Sequence, residues 1–227
     1  MPVIRRHWST HILLPAEMAA RELVRRRTAL GLLTVLPLVF YASSRSNSSY
    51  APVLGGIAMA FSVSGASIFC ALTSRRLDSR LVLAGYRPRE LLLGRLLLLE
   101  ALGFLVALVF AGVIELGSSP AAPLELIGGV FLVTACAVPF GLAVGALVPN
   151  ELESVLILIG VVGVELTLQT TNIVDRFMPW WGAQRLLEQA GDGRGDTVVP
   201  ILICVAYAVG LFGLAVLAVN RRYATLR

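Results

Sequence analysis

Six apolar runs, at 28–44, 50–74, 91–116, 124–148, 152–170 and 198–219, make up most of this chain. Each approaches or exceeds the roughly 20 apolar residues that carry a helix across a hydrocarbon core of about 30 Å. This pattern predicts an all-α membrane protein with six transmembrane helices. Composition agrees: 57% of the 227 residues are hydrophobic and 15% charged, with a mean hydropathy of +0.81. Soluble domains hold about 25% charged residues. The expected division is a cytoplasmic N-terminus, 1–27, followed by a six-helix transmembrane domain, 28–227. The first run is short, and Arg27 and Arg45 at its ends can snorkel to the interfaces. The first 27 residues lack the continuous apolar core of a cleavable signal peptide, so the N-terminus is expected to stay on.

The basic residues set the orientation. All 19 are arginines, and there is no lysine. With both termini in the cytoplasm, only Arg45, Arg176, Arg185 and Arg194 fall outside. The connector at 149–153 departs from the pattern, since it is assigned inside yet carries Glu151 and Glu153 and no base. Acids count little in this rule. The net charge of +5 is explained by anionic headgroups and this asymmetry rather than by nucleic acid. An arginine-only chain rich in Ala, Gly, Leu and Val points to a GC-rich bacterial genome, and hence to a multi-pass protein of the bacterial inner (plasma) membrane.

Three segments outside the apolar runs carry information. At 15–27, Ala16, Ala19, Ala20, Leu23 and Val24 share one helical arc, while Glu17, Arg21, Glu22, Arg25 and Arg26 share the other. This is a basic amphipathic helix expected to lie in the cytoplasmic interface. At 74–97 the chain reads SRRLDSRLVLAGYRPRELLLGRLL. Leu77, Leu81 and Ala84 recur at helical spacing among Arg75, Arg76 and Arg80, with Asp78 the only acid beside them. Gly85 fits a C-terminal cap, and Pro88 fits the start of the next helix. At 171–199, Phe177, Met178, Trp180 and Trp181 form an aromatic, apolar knot. Residues 183–190 then read as a short amphipathic helix with Leu186 and Leu187 on its apolar side. Two short helices dipping into the outer leaflet are expected here.

Several chemistries are excluded. There is no G-x-x-x-x-G-K-[ST] motif, so the chain has no nucleotide-hydrolysing loop of that kind. Ser64 lies at membrane depth, but His7 and His11 both precede the first run, so a serine nucleophile has no base there. Gly56, Ala60, Ser64, Ser67, Gly141 and Gly145 read instead as small residues for helix packing. Cys70, Cys136 and Cys204 lack metal spacing and read as buried hydrophobes. GDGRGD at 191–196 lacks the ligand spacing of a calcium loop. No catalytic or metal residue is therefore expected. The acids at depth are Glu100, expected to pair with a neighbouring arginine, and Glu165, which with Gln169 makes the outer half of the fifth run polar. That polarity suits a substrate path or a polar subunit interface. Pro139 and Pro200 are expected to kink their helices. The first three runs do not resemble the last three, which argues against inverted-repeat transporters.

The order of these parts, together with LDSRLVLAGYRPRELLLGRLL, resembles the membrane subunit of an ABC-2 type transporter, the type V exporter fold. The resemblance covers nearly the whole chain. It implies that 15–27 is the connecting helix and 75–85 the coupling helix seated in a separate ATPase. It also implies that 171–199 forms extracellular re-entrant helices whose Phe177, Trp180 and Trp181 help close an outer gate. The implied assembly has two ATPase subunits, which carry ATP and magnesium, and a second permease that is identical or paralogous. This chain would bind no cofactor. A hydrophobic or amphipathic cargo, such as a drug, antibiotic or lipid, is favoured over polysaccharide, because aromatics are only 7%. On this reading Leu81→Asp leaves membrane insertion intact and abolishes coupled ATPase activity. The alternatives are a non-transporting scaffold, sensor or immunity protein, and, less well supported, a membrane enzyme. Co-purification with an ATPase separates the first reading from both.

Overall fold

A computed structural model describes residues 27–44, 50–118, 121–167, 176–193 and 195–224. The described residues form eight helices: α1 (Arg27–Ser43), α2 (Ala51–Thr73), α3 (Arg75–Leu83), α4 (Pro88–Ser118), α5 (Pro123–Leu147), α6 (Glu151–Thr167), α7 (Trp181–Asp192) and α8 (Val198–Tyr223). The all-helical expectation holds among them. Helices α2, α4, α5 and α8 are long and apolar enough to cross a membrane. The described lengths of α1 and α6 are 17 residues each, about 25 Å of helix. The structure thus supports four spans directly; six spans and their orientation stay an expectation. The interfacial helix with Arg21, Leu23, Val24, Arg25 and Arg26 lies outside the described residues, as does Gln169.

Helix α5 is the axis of the bundle. The buried share of its spanning window is 78%, against 61% for α2, 39% for α4 and 11% for α8. Helix α2 packs along α5, while α4, α7 and α8 pack on its other sides. Small residues make the α2–α5 approach possible. The Ser64 hydroxyl donates to the Ala137 carbonyl at 3.0 Å. A Cβ placed on Gly141 would meet the Ser64 carbonyl oxygen and come within 2.6 Å of Ser67 Cβ, and one on Gly145 would lie 2.7 Å from Ala71 Cβ. The packing role read for these residues is therefore borne out.

The prolines divide. Pro139 lies inside α5, where it removes one i→i−4 bond. Pro200 sits in the first turn of α8. A helix has no intrahelical acceptor for its N–H groups there, so Pro200 interrupts nothing, and the kink expected at it is corrected.

Candidate functional site

Helix α3 leaves α2 through a single residue. Ser74 keeps a right-handed backbone (φ −81°, ψ −5°), and its hydroxyl turns back to the Cys70 carbonyl at 2.5 Å rather than capping α3. The helix ends at Ala84, followed by Gly85 at φ 95°. There the Gly85 N–H donates to Val82 O and the Tyr86 N–H to Leu81 O, both at 3.0 Å. These are the paired bonds of a left-handed glycine cap, which a Cβ would strain. Tyr86 and Leu81 pack in the small cluster of Val82, Leu91, Tyr223 and Val219 beneath the cap. The helix and its glycine stop are as expected.

Two charged contacts fix α3 to the bundle, and a third ties α8 to the same end of α5. Arg95 of α4 grips Asp78 through both guanidinium ends: Nη1 donates to Oδ2 at 2.7 Å and Nη2 to Oδ1. Both side chains are buried. Arg75 donates to three carbonyls at the end of α5, with Nη2 to Gly145 and Val148 at 2.5 Å each and Nη1 to Pro149 at 3.0 Å. From α8, Arg222 Nη2 donates to the Ala146 carbonyl at 3.0 Å. The last carbonyls of a helix lack intrahelical donors and carry the negative end of its dipole, so two cations share one terminus without needing an acid. Burial, and then the nearby Arg222, lower the Arg75 guanidinium from its ordinary value. A guanidinium keeps its charge regardless. The Tyr223 hydroxyl closes the ring with a long bond, 3.5 Å, to the Arg75 carbonyl.

The opposite face of α3 is free of the bundle. Leu83 is 70% exposed and Leu77 40% exposed, and Arg80, Ala84 and Gly85 are exposed with them. Leu81 is half-buried in the cluster under the cap. The side chain of Arg76 is outside the described residues. Arg222, Tyr223 and Arg95 are the members of this site that sequence reasoning missed. The one signal was the pair Arg221 and Arg222 in the last turn of a helix, which suits its own dipole but does not reveal α5 as the target.

Helix α7 stands at the other end of the bundle. It inserts among α2, α5 and α8, with Trp180, Trp181, Ala183, Leu186, Leu187 and Ala190 all buried. The short helix expected at 183–190 is present as α7, and its insertion has a steric cause. Leu187 fits over Gly56 and Gly129, where a Cβ would collide with it. Gly182 lets the α7 backbone meet α8, where a Cβ would strike the Pro200 carbonyl oxygen and lie 2.9 Å from Cys204 Sγ. The aromatic knot is also divided. Trp180 packs edge-on to Phe140 at 5.1 Å, and Arg176 lies over the Trp181 ring at 5.8 Å. Phe177 is 70% exposed, and its carbonyl accepts the Tyr207 hydroxyl at 2.5 Å.

The acids at depth stand apart from both ends. Glu165 is buried on the stripe of α6 that also holds Ser154, Leu158 and Val162. Glu100 is half-buried, and its Oε2 has no hydrogen-bond partner among the described residues. The expected pairing of Glu100 with a neighbouring arginine is corrected. Five residues of helix place it on a different side of α4 from Arg95, which is committed to Asp78.

No curated protein matches this sequence. The family described as ABC-2 family transporter protein matches it over residues 26–217. That range contains α3, the helices it is tied to and all of α7. The chain belongs to the ABC-2 transporter family, as a membrane-embedded permease component that works with a partner ATPase.

Proposed function

We propose that this chain is one permease of an exporter that moves a hydrophobic or amphipathic compound across the bacterial inner membrane. Two copies of a separate ATPase, which hold ATP and magnesium, drive it, alongside a second permease that is identical or paralogous. Six helices cross the membrane with both termini in the cytoplasm, and α3 is the coupling helix. The observation that carries this reading is the two-faced nature of α3. One face is bonded to α4 and α5, while the other presents Leu77, Arg80 and Leu83. A short helix held this firmly transmits a push to the bundle instead of bending. At the far end, Trp180 and Trp181 on the inserted α7 close the outer mouth, and Phe177 forms its exposed rim. The buried Glu165 supports a polar path or contact along α6.

The test is affinity purification of the tagged protein from its native membrane, with mass spectrometry of its companions. A stoichiometric Walker-type ATPase is expected, and a second permease chain would make the pair heteromeric. Recovery without any ATPase, repeated with an ATP analogue present, would return the chain to the non-transporting scaffold or sensor reading.

A further inference from the structure

Beside the α3 ring lies a cavity of about 550 Å³, lined by Arg87, Pro88 and Arg89 at the start of α4 and by Asn220, Tyr223 and Ala224 at the end of α8. Among the described residues its lining holds two guanidinium groups, an amide and a phenol, and no acid. Neither Arg87 nor Arg89 makes an ion pair among the described residues. Arg222, the neighbouring cation, is committed to the Ala146 carbonyl. Two free guanidinium groups beside a helix N-terminus form a receptor for a phosphate group. The volume falls in the range of organic ligand sites, far above what a lone ion fills. The walls continue into apolar surface: Leu97 on α4 and Leu214 and Leu217 on α8 are all exposed. Leu217 lies about 5 Å, Leu214 about 9 Å and Leu97 about 12 Å along their helices from the nearest lining residues.

From these observations we infer that the cavity binds the phosphate headgroup of an anionic phospholipid, whose acyl chains lie along the exposed faces of α4 and α8. The occupant bridges the start of α4, the helix whose Arg95 holds Asp78, and the end of α8, whose Tyr223 meets the Arg75 carbonyl. Arg87 and Arg89 bind the phosphate, Asn220 donates to its ester oxygens, and Tyr223 connects the site to the Arg75 carbonyl. This inference does not depend on the cargo or on transport itself.

The test uses the full-length protein in neutral-lipid nanodiscs, titrated with phosphatidylglycerol, phosphatidylcholine or inorganic phosphate and read by native mass spectrometry and thermal unfolding. Phosphatidylglycerol is expected to bind and raise Tm, and phosphatidylcholine is not. Each of Arg87→Gln and Arg89→Gln should weaken binding about fivefold, and the pair about thirtyfold. Arg80→Gln, a charge change on the same side of the bundle, should leave it unaltered. If the double variant does not fold, Asn220→Leu, which keeps both charges but removes the amide donor and adds bulk to the lining, is expected to weaken binding as well. Equal binding by the double variant, or an equal loss in Arg80→Gln, overturns the site. Equal stabilisation by inorganic phosphate alone makes the ligand a soluble anion and overturns the lipid. Lipid that is expelled when the ATPase docks assigns the cavity to that interface and also overturns the inference.

Discussion

Helices α3 and α7 are both short connectors between longer helices, yet opposite physics holds them. Helix α3 is pinned by Arg75, Asp78 and Arg95 at a few polar points, and leaves Leu77 and Leu83 in the open. Helix α7 is held by shape, with Leu187 set over Gly56 and Gly129 and Gly182 against the start of α8. Polar pins give position and direction while sparing a surface for a partner. Interlocked side chains surrender the surface altogether and make the helix part of the core. On the proposed function, this contrast suits α3 to transmitting a push and α7 to a closure.

The comparison is broken most severely at the ion pair. Asp78→Ala leaves Arg95 buried without its partner and should cost about 3–5 kcal/mol. A Tm close to the parent's would mean that the pair is not what fixes α3. The double variant Asp78→Leu/Arg95→Leu should recover most of the loss, since no charge is then left buried. Gly182→Ala comes next, at about 1–3 kcal/mol, because its Cβ must displace the α8 backbone rather than a mobile side chain. Protease protection of α7 in purified protein reads this directly, and unchanged protection would refute the steric account. Arg75→Gln removes the cation from the α5 terminus and should cost about 1–2 kcal/mol. It should also reduce ATPase coupling out of proportion to that cost; an equal reduction in both would make Arg75 a stability residue only. Leu83→Asp should change stability by less than about 0.5 kcal/mol, while uncoupling ATP hydrolysis from the permease. It is a cleaner probe than Leu81→Asp, since Leu81 packs with Val82 and Leu91 under the cap. Normal coupling in Leu83→Asp would remove the exposed face of α3 from the ATPase interface.

Local rules made much of this molecule legible. The apolar runs locate the helices, the glycine after Ala84 ends α3, and the small residues of α2 and α5 announce a close crossing. These features depend on residues near one another in the chain, or on composition alone. Apart from the kink expected at Pro200, which the start of α8 removes, the readings that changed concern which face meets which neighbour. Glu100 and Arg95 are five residues apart and point to different sides. Trp180 and Phe177 are three apart, yet one is buried and the other exposed.

What the sequence determined by itself was the membrane class, the position of the helices and the character of the α3 connector, because hydropathy and backbone caps act over one or two helical turns. Only the tertiary structure decided that Arg75 and Arg222 converge on α5 and that Asp78 belongs to Arg95. The same is true of α7, which lies inside the bundle. An arginine has no preferred partner in a linear pattern. The partner is whichever unsatisfied carbonyl or carboxylate the packed helices bring within 3 Å, and helices pack by the shape of surfaces drawn from distant parts of the chain.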